Sequence, residues 1–342
     1  MDSIKNIEQL EDILSEPTEG VVKTLGKLEG DIIVLGAGGK MGPTLTRMAR
    51  RASDAAGARR SVIGVDLFPS ENQESRLRSF GIETVKCNLL DRDELGKLPD
   101  AANVVFMAGM KFGSTGQESL TWAMNSFLPG MVAERFRNSR IAAFSTGNVY
   151  GMVSAAADGG SVETDALNPI GEYAMSTMGR ERIFEHFSRT LGIPMTLIRL
   201  NYAHEMRYGV LVDLAKKVLA GEVIDLSMGY VNAIWQGDAS AMALGALGHT
   251  ASPPFVLNVV GPELLSIREV AEKFGSLMGK SVEFSGMEAL DAFLSNGRKS
   301  FDLFGYPRVS AEQLIRWIAD WVIRGGESLD KPTHFESRNG KY

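Results

Sequence analysis

Six short apolar runs rich in β-branched residues punctuate the first two hundred positions: "DIIVLG" from 31, "SVIGVD" from 61, "IETVKC" from 82, "NVVFMAG" from 103, "RIAAFST" from 140 and "PMTLIRL" from 194. Between them stand segments with apolar residues three or four apart, such as "MGPTLTRMARRA" and "ESLTWAMNSFLPGMVAERF". Strands that alternate with helices pair in parallel through crossovers, and continuous apolar runs mark strands buried on both faces. The expected fold class is therefore α/β, a doubly wound parallel sheet. After about residue 200 the alternation becomes irregular, which predicts a smaller carboxy-terminal lobe. There Ser266 and Glu269 form a capping box at the start of "SIREVAEKFGSLMG".

The expected organisation is an amphipathic extension over 1–29, a nucleotide-binding domain over 30–202, a mainly substrate-binding lobe over 203–330 and an exposed tail over 331–342. The run near 255–260, "FVLNVVG", is expected to return to the first domain. In the extension, Ile4, Ile7, Leu10, Ile13 and Leu14 share one helical face, and the polar face is mostly acidic. That pattern predicts a helix packed on the body and not a membrane anchor.

The first run leads into "GAGGKMG", placing Gly36, Gly39 and Gly42 three apart at a turn into a helix. Glycines there let the chain turn tightly, let the backbone approach a pyrophosphate and let the helix lie close to the strand, with its N-terminus facing the phosphates. The second run ends in Asp66, 24 residues after Gly42, where a carboxylate accepts hydrogen bonds from the ribose hydroxyls of an adenine dinucleotide. These features together give a Rossmann-type domain and favour NAD, since the charge of Asp66 repels the 2′-phosphate of NADP. Lys40, inside the loop, pulls the other way, because a cation there could reach such a phosphate. NADP is the lesser alternative.

Composition sets the partner class. A net charge of −6 over 342 residues and a pI near 5.4 give no basic field for nucleic acid or an anionic membrane, so the expected partner is a small molecule. One cysteine, Cys87, and four histidines without ligand spacing argue against a disulfide or a metal. The absence of a signal-like or 18-residue apolar segment leads to the expectation of a cytoplasmic protein.

With this spacing the chain resembles the extended short-chain dehydrogenase/reductase family, in its NAD-dependent epimerase/dehydratase branch, over roughly residues 31–325. The resemblance rests on "GAGGKMG", "AFSTGNVYG" from 143, Asn125, Tyr173, Ser176 and Glu181 in "GEYAMSTMGRERIFE", "RLNYA" and "IWQGDASAMALGAL" with Asp238. It implies that Thr146 binds the reacting oxygen and that Tyr173 exchanges its proton. It also implies cofactor contacts from Gly36, Gly39, Lys40, Met41, Gly42, Asp66, Asn88, Leu89, Ala108, Gly109 and Tyr173. The substrate it implies is a sugar or nucleotide-sugar, and the assembly a homodimer formed through the helix carrying Trp122, Met124 and Phe127.

The chain departs from the family at the residue that makes a phenol a base. A tyrosine titrates near 10 and needs a neighbouring cation to ionise at neutral pH. Where the family has a lysine four residues on, this chain has Thr177, which can donate a hydrogen bond to the ribose but supplies no charge. Lys111 and His204 are the candidates to replace that cation. Other cations, Arg199, Arg207, Arg298 and Lys299, could meet a substrate phosphate or carboxylate, or only solvent. The leading reading is an NAD-dependent oxidoreductase or epimerase/dehydratase acting on a sugar. The alternatives are an NAD-binding sensor or partner-binding protein and a reductase of a non-sugar carbonyl compound.

Overall fold

The computed structural model describes residues 3–340 apart from Pro69, Phe112, Ser114, Ala157 and Asp158. Its central sheet has seven strands: β1 (Ile32–Leu35), β2 (Val62–Asp66), β3 (Glu83–Lys86), β4 (Asn103–Phe106), β5 (Arg140–Thr146), β6 (Met195–Leu200) and β7 (Phe255–Val259). The order is β3-β2-β1-β4-β5-β6-β7 and every pairing is parallel. The chain leaves β3 at one edge and re-enters the sheet at β4 beside β1, so a crevice opens at the carboxyl ends of β1 and β4.

Alternation along β1 shows how both faces are filled. Ile32 and Val34 pack with Val21, Leu25, Leu45 and Met48, whereas Ile33 and Leu35 pack with Phe106, Leu128, Val132 and Phe184. A period of two on a pleated strand sends neighbours to opposite layers. The first layer holds α2 (Glu19–Lys27) and α3 (Gly42–Ala55); the second holds α4 (Gly171–Leu191) and the helical stretch 118–135, which contains a π-helical turn at Ala123–Phe127. A third core, in the second lobe, lies among α5 (Val210–Ala220), α6 (Ile267–Met278) and α7 (Ala311–Ile323), and Ser266 caps α6 by accepting from the Glu269 N–H at 3.3 Å.

The amino-terminal extension forms two helices rather than one. Asn6 caps α1 (Ile7–Leu14) and Thr18 caps α2. Leu10 and Leu14 enter the second-lobe core while Val21 and Leu25 enter the first, so the extension ties the lobes together. Its acidic face meets arginines: Asp12 pairs with Arg47 at 2.5 Å, and Glu11 with Arg76 at 2.5 Å and Arg207 at 3.3 Å.

The expectation of an exposed tail is wrong for the part described, which ends at residue 340. Phe335 is 2% exposed within the second-lobe core. Thr333 is anchored to Asp213 through its N–H at 2.8 Å and its hydroxyl at 2.6 Å, and Arg338 donates to Asp291 at 2.5 Å. Polar composition hid these anchors, because one buried aromatic and two side-chain contacts suffice to hold an otherwise hydrophilic segment.

Candidate active site

A cleft of about 240 Å³ opens at the carboxyl ends of β1, β4 and β5, between the glycine loop and the second lobe. Its floor is made by backbone proximity. Gly36 has φ +98°, and a Cβ on it would lie 2.7 Å from the Ala108 nitrogen; one on Gly42 would lie 2.5 Å from the carbonyl oxygens of both Gly36 and Ala37. Only glycine fits these positions. Helix α3 begins at Gly42 with Pro43 in its first turn and no side chain capping it, so its amide groups stand open towards the cleft.

Asp66 closes the loop from β2. It accepts from the Gly38 N–H at 2.9 Å and the Leu67 N–H at 2.8 Å, which fixes its carboxylate beside the glycine turn. Lys40 points elsewhere: its Nζ lies 3.3 Å from the centroid of the Tyr208 ring and donates to the Ala203 carbonyl at 3.4 Å. It therefore spans the cleft to the second lobe and does not stand at the Asp66 end, where a 2′-phosphate would lie. Met41, Leu89 and Ala108 are buried, whereas Asn88 is exposed with its Oδ1 accepting from the Leu90 N–H at 3.2 Å.

Tyr173 faces this cavity from α4. Its phenol is hydrogen-bonded to Thr146, at the end of β5, and to Thr177. Burial pushes it above its ordinary pKa, opposed by those two hydroxyls and by the positive charge of Arg180. The Thr177 side chain is 1% exposed and donates to the Tyr173 carbonyl at 2.8 Å. This corrects the expectation that it donates to a ribose: a threonine inside a helix finds the carbonyl four residues back first.

The two proposed substitute cations differ. Lys111 lies at the cleft with its Nζ 5.4 Å from the Tyr173 ring centroid, and burial lowers its pKa to about 8. His204 is 1% exposed, and its Nε2 accepts from the Val210 N–H at 3.1 Å, capping α5. Burial, then the charge of Lys40, takes its pKa down to about 3. A neutral imidazole supplies no positive charge, which corrects that half of the expectation; its Nδ1 finds no partner among the described residues.

Arg199 and Arg207 are not available to a substrate either. Arg199 holds Glu181 through two bonds, at 2.9 and 2.8 Å, with both side chains buried, and Glu181 also accepts from Ser145 at 2.5 Å. Arg207 is taken by Glu205 at 3.0 Å. Lys299 donates to the Val256 carbonyl at 2.7 Å over the Phe255 ring.

Sequence reasoning missed Arg180, which lines the cleft two turns after Tyr173, and missed Thr333, which the tail brings to the rim. The first was legible from helical spacing in "GEYAMSTMGR". The second carries no local signal. Among the described residues no cluster of His, Cys, Asp and Glu fits a metal, and no helix is long and apolar enough to cross a membrane.

The parallel sheet, the glycine cradle at an uncapped helix and the acidic strand end define a dinucleotide-binding site, with a tyrosine and threonine placed beside it. The family model described as the NAD dependent epimerase/dehydratase family matches residues 32–224, and the chain belongs to that family. NAD is accordingly its cofactor, and the cradle fits it. No curated protein matches the chain by sequence. Solved structures share the fold at low identity. A UDP-glucuronic acid 4-epimerase from Bacillus cereus aligns with TM-score 0.71 and 20% identity, over 86% of this chain and 99% of that one. A UDP-glucose 4-epimerase from Thermotoga maritima gives 0.70 and 17%, over 86% and 99%. A dTDP-glucose 4,6-dehydratase from Bacillus anthracis, in complex with NAD, gives 0.72 and 17%, over 86% and 97%.

Proposed function

We propose that the protein is an epimerase- or dehydratase-type enzyme acting on a nucleotide-sugar, with Tyr173 as general acid/base and Thr146 orienting the reacting oxygen. The observation that carries this reading is the hydrogen-bonded pair of Thr146 and Tyr173 hydroxyls beside the glycine cradle. When bound, NAD supplies the hydride acceptor. A sugar hydroxyl that loses hydride from its carbon must also lose its proton, and Tyr173 stands where it can accept it. Thr146, held by the Asn148 N–H donating to its Oγ1 at 3.2 Å, fixes the second hydrogen bond to that oxygen. The cleft is also lined by Lys40 and Lys111, whose pKa values burial lowers to about 7 and about 8, so that below those values they offer positive charge to an anionic, phosphate-bearing substrate. Exposed Leu120, Trp122 and Phe127 on the helical stretch 118–135 offer an apolar face to a second copy, in keeping with a homodimer.

A panel of UDP- and dTDP-linked sugars, incubated with NAD and followed by sugar analysis and by NADH absorbance, tests the proposal. Turnover of at least one nucleotide-sugar, lost in Tyr173→Phe, is the expected result, and sugar isomerised without NADH accumulation identifies internal redox. A panel in which no sugar is changed favours the second reading, an NAD-binding protein without turnover, to which the upward push of burial on Tyr173 lends support.

A further inference from the structure

We propose that the buried guanidinium of Arg180 is the positive charge that takes the place of the missing lysine, held beside Tyr173 by Asn125 and given its space by Gly109. The proposal rests on the reading of Tyr173 as the acid/base.

Arg180 is 6% exposed. It donates to the Phe144 carbonyl at 2.7 Å, to Asn125 Oδ1 at 2.8 Å and to the Asn125 carbonyl at 3.3 Å. Among the described residues it forms no ion pair within 4.0 Å, and the adjacent carboxylate, Glu181, is already held twice by Arg199. A buried charge with no carboxylate of its own is costly, by several kcal/mol in general, even with its hydrogen bonds to carbonyls and the Phe106 ring 5.1 Å away. Arginine does not escape the cost by deprotonating at neutral pH. A fold that keeps such a group has a use for its field.

The geometry directs that field at the phenol. Positions i and i+7 share a helical face, and Cα–Cβ bonds tilt towards the helix N-terminus, so Arg180 reaches back along α4 to the side on which Tyr173 stands. Burial is the larger influence on both groups, pushing the phenol up and the guanidinium down to about 10; against it, the charge of Arg180 favours the ionised phenol and the phenol favours the charged guanidinium. The loop after β4 shows the same arrangement from the other side. A Cβ on Gly109 would overlap Arg180 Nη2 and lie 2.9 Å from Asn125 Oδ1, so the guanidinium fills the space a larger residue would need. Asn125 is itself fixed, accepting from the Met110 N–H at 2.9 Å and donating to the Met110 carbonyl and to Ser176 Oγ at 2.9 and 3.0 Å. The glycine at 109 and the threonine at 177 thereby acquire one cause.

Lys40 lines the same cleft, its pKa lowered by burial to about 7. Lys111 approaches from the loop after β4, on the ring face; Thr146 and Thr177 are uncharged; His204, across the cleft, is neutral. Arg180 is a positioning residue, acting through Tyr173.

The test is the tyrosinate absorbance titration of the full chain, with and without saturating NAD, taken as the difference from Tyr173→Phe. Arg180→Met is expected to move the Tyr173 pKa upward by about one unit, the effect of removing a nearby opposite charge. Arg180→Lys should return most of that shift, and Gly109→Ala, which displaces the guanidinium without removing it, should give a smaller upward move. In the same variants the pH profile of turnover shifts to higher pH. A Tyr173 titration that stays at the wild-type pH in Arg180→Met overturns the proposal. If that variant does not fold, a wild-type titration in Gly109→Ala, with Lys111→Met carrying the upward shift instead, overturns it equally. No substrate enters the absorbance titrations, so the proposal fails separately from the reading of the reaction.

Discussion

The glycine loop and helix α4 face each other across one cleft, yet they are made of different material. The loop works through backbone: Gly36 and Gly42 are present because a Cβ would collide with carbonyl or amide atoms 2.5 to 2.7 Å away. Helix α4 works through side chains whose properties are set by partners from elsewhere, Thr146 on β5, Asn125 in the π-helical turn and Gly109 after β4. A backbone device is written contiguously and survives in recognisable form. A side-chain device can be assembled from different parts, and this chain carries Thr177 where the resemblance implies a lysine.

If the two devices are separable, substitution in one should leave the other intact. Tyr173→Phe should lower turnover by roughly 10² to 10⁴-fold, the range of general acid/base catalysis, while NAD affinity by fluorescence titration stays near wild type. Loss of NAD binding in that variant would show the separation to be false. Glu181→Gln sharpens the point within α4: it leaves Arg199 buried with half its partner, and removing one side of such a pair costs about 3 to 5 kcal/mol. Thermal melting should show a larger loss of stability for it than for Tyr173→Phe or any loop variant, with the loop sequence untouched.

Gly42→Ala tests the loop in the same way. Its new methyl would meet the carbonyl oxygens of Gly36 and Ala37 at 2.5 Å, so α3 must shift away from β1. Overpacking of this kind costs about 1 to 3 kcal/mol. Calorimetric titration should find weakened NAD binding, and the difference titration of Tyr173 should be unmoved. Movement of both would mean that the loop and the helix share one packing unit.

How much of the molecule was legible in the chain follows the same division. The parallel sheet could be read because six apolar runs between helical segments leave few alternatives, and the cradle because its glycines are contiguous. The amino-terminal helices were visible as an apolar stripe, although not their split at Thr18, whose capping role depends on the turn before it. The tail misled, since Thr333 finds its partner 120 residues away, at Asp213, and Phe335 finds its place in the second-lobe core. His204 misled for a related reason: sequence cannot tell a charged imidazole in a cleft from a neutral one that caps a helix at Val210. Arg180 lies on the same face as Tyr173, but its partners, Phe144 and Asn125, come from other elements and leave no local signal.

The smallest expected effect concerns Lys111, which belongs to neither device. Its pKa is lowered to about 8 by burial, against an ordinary value of 10.5. A lysine depressed on folding destabilises the folded state while it is protonated there, below about 8, and the penalty fades as pH rises towards 10.5, where the unfolded chain also loses its proton. Lys111→Met should therefore melt at a higher temperature than wild type at pH 7 and lose that advantage above pH 10, by on the order of 1 kcal/mol once solvent screening is allowed for. The same charge should favour a phosphate-bearing substrate. In the wild type, KM for an anionic sugar is expected to rise by up to about tenfold as pH passes through 8, the worth of one screened charge contact, and in Lys111→Met it should be high and flat. A variant that is more stable and binds the substrate less well would identify Lys111 as a residue kept for binding. One that is more stable with KM and turnover unchanged would leave the acid/base helix self-sufficient, with Arg180 supplying its positive charge.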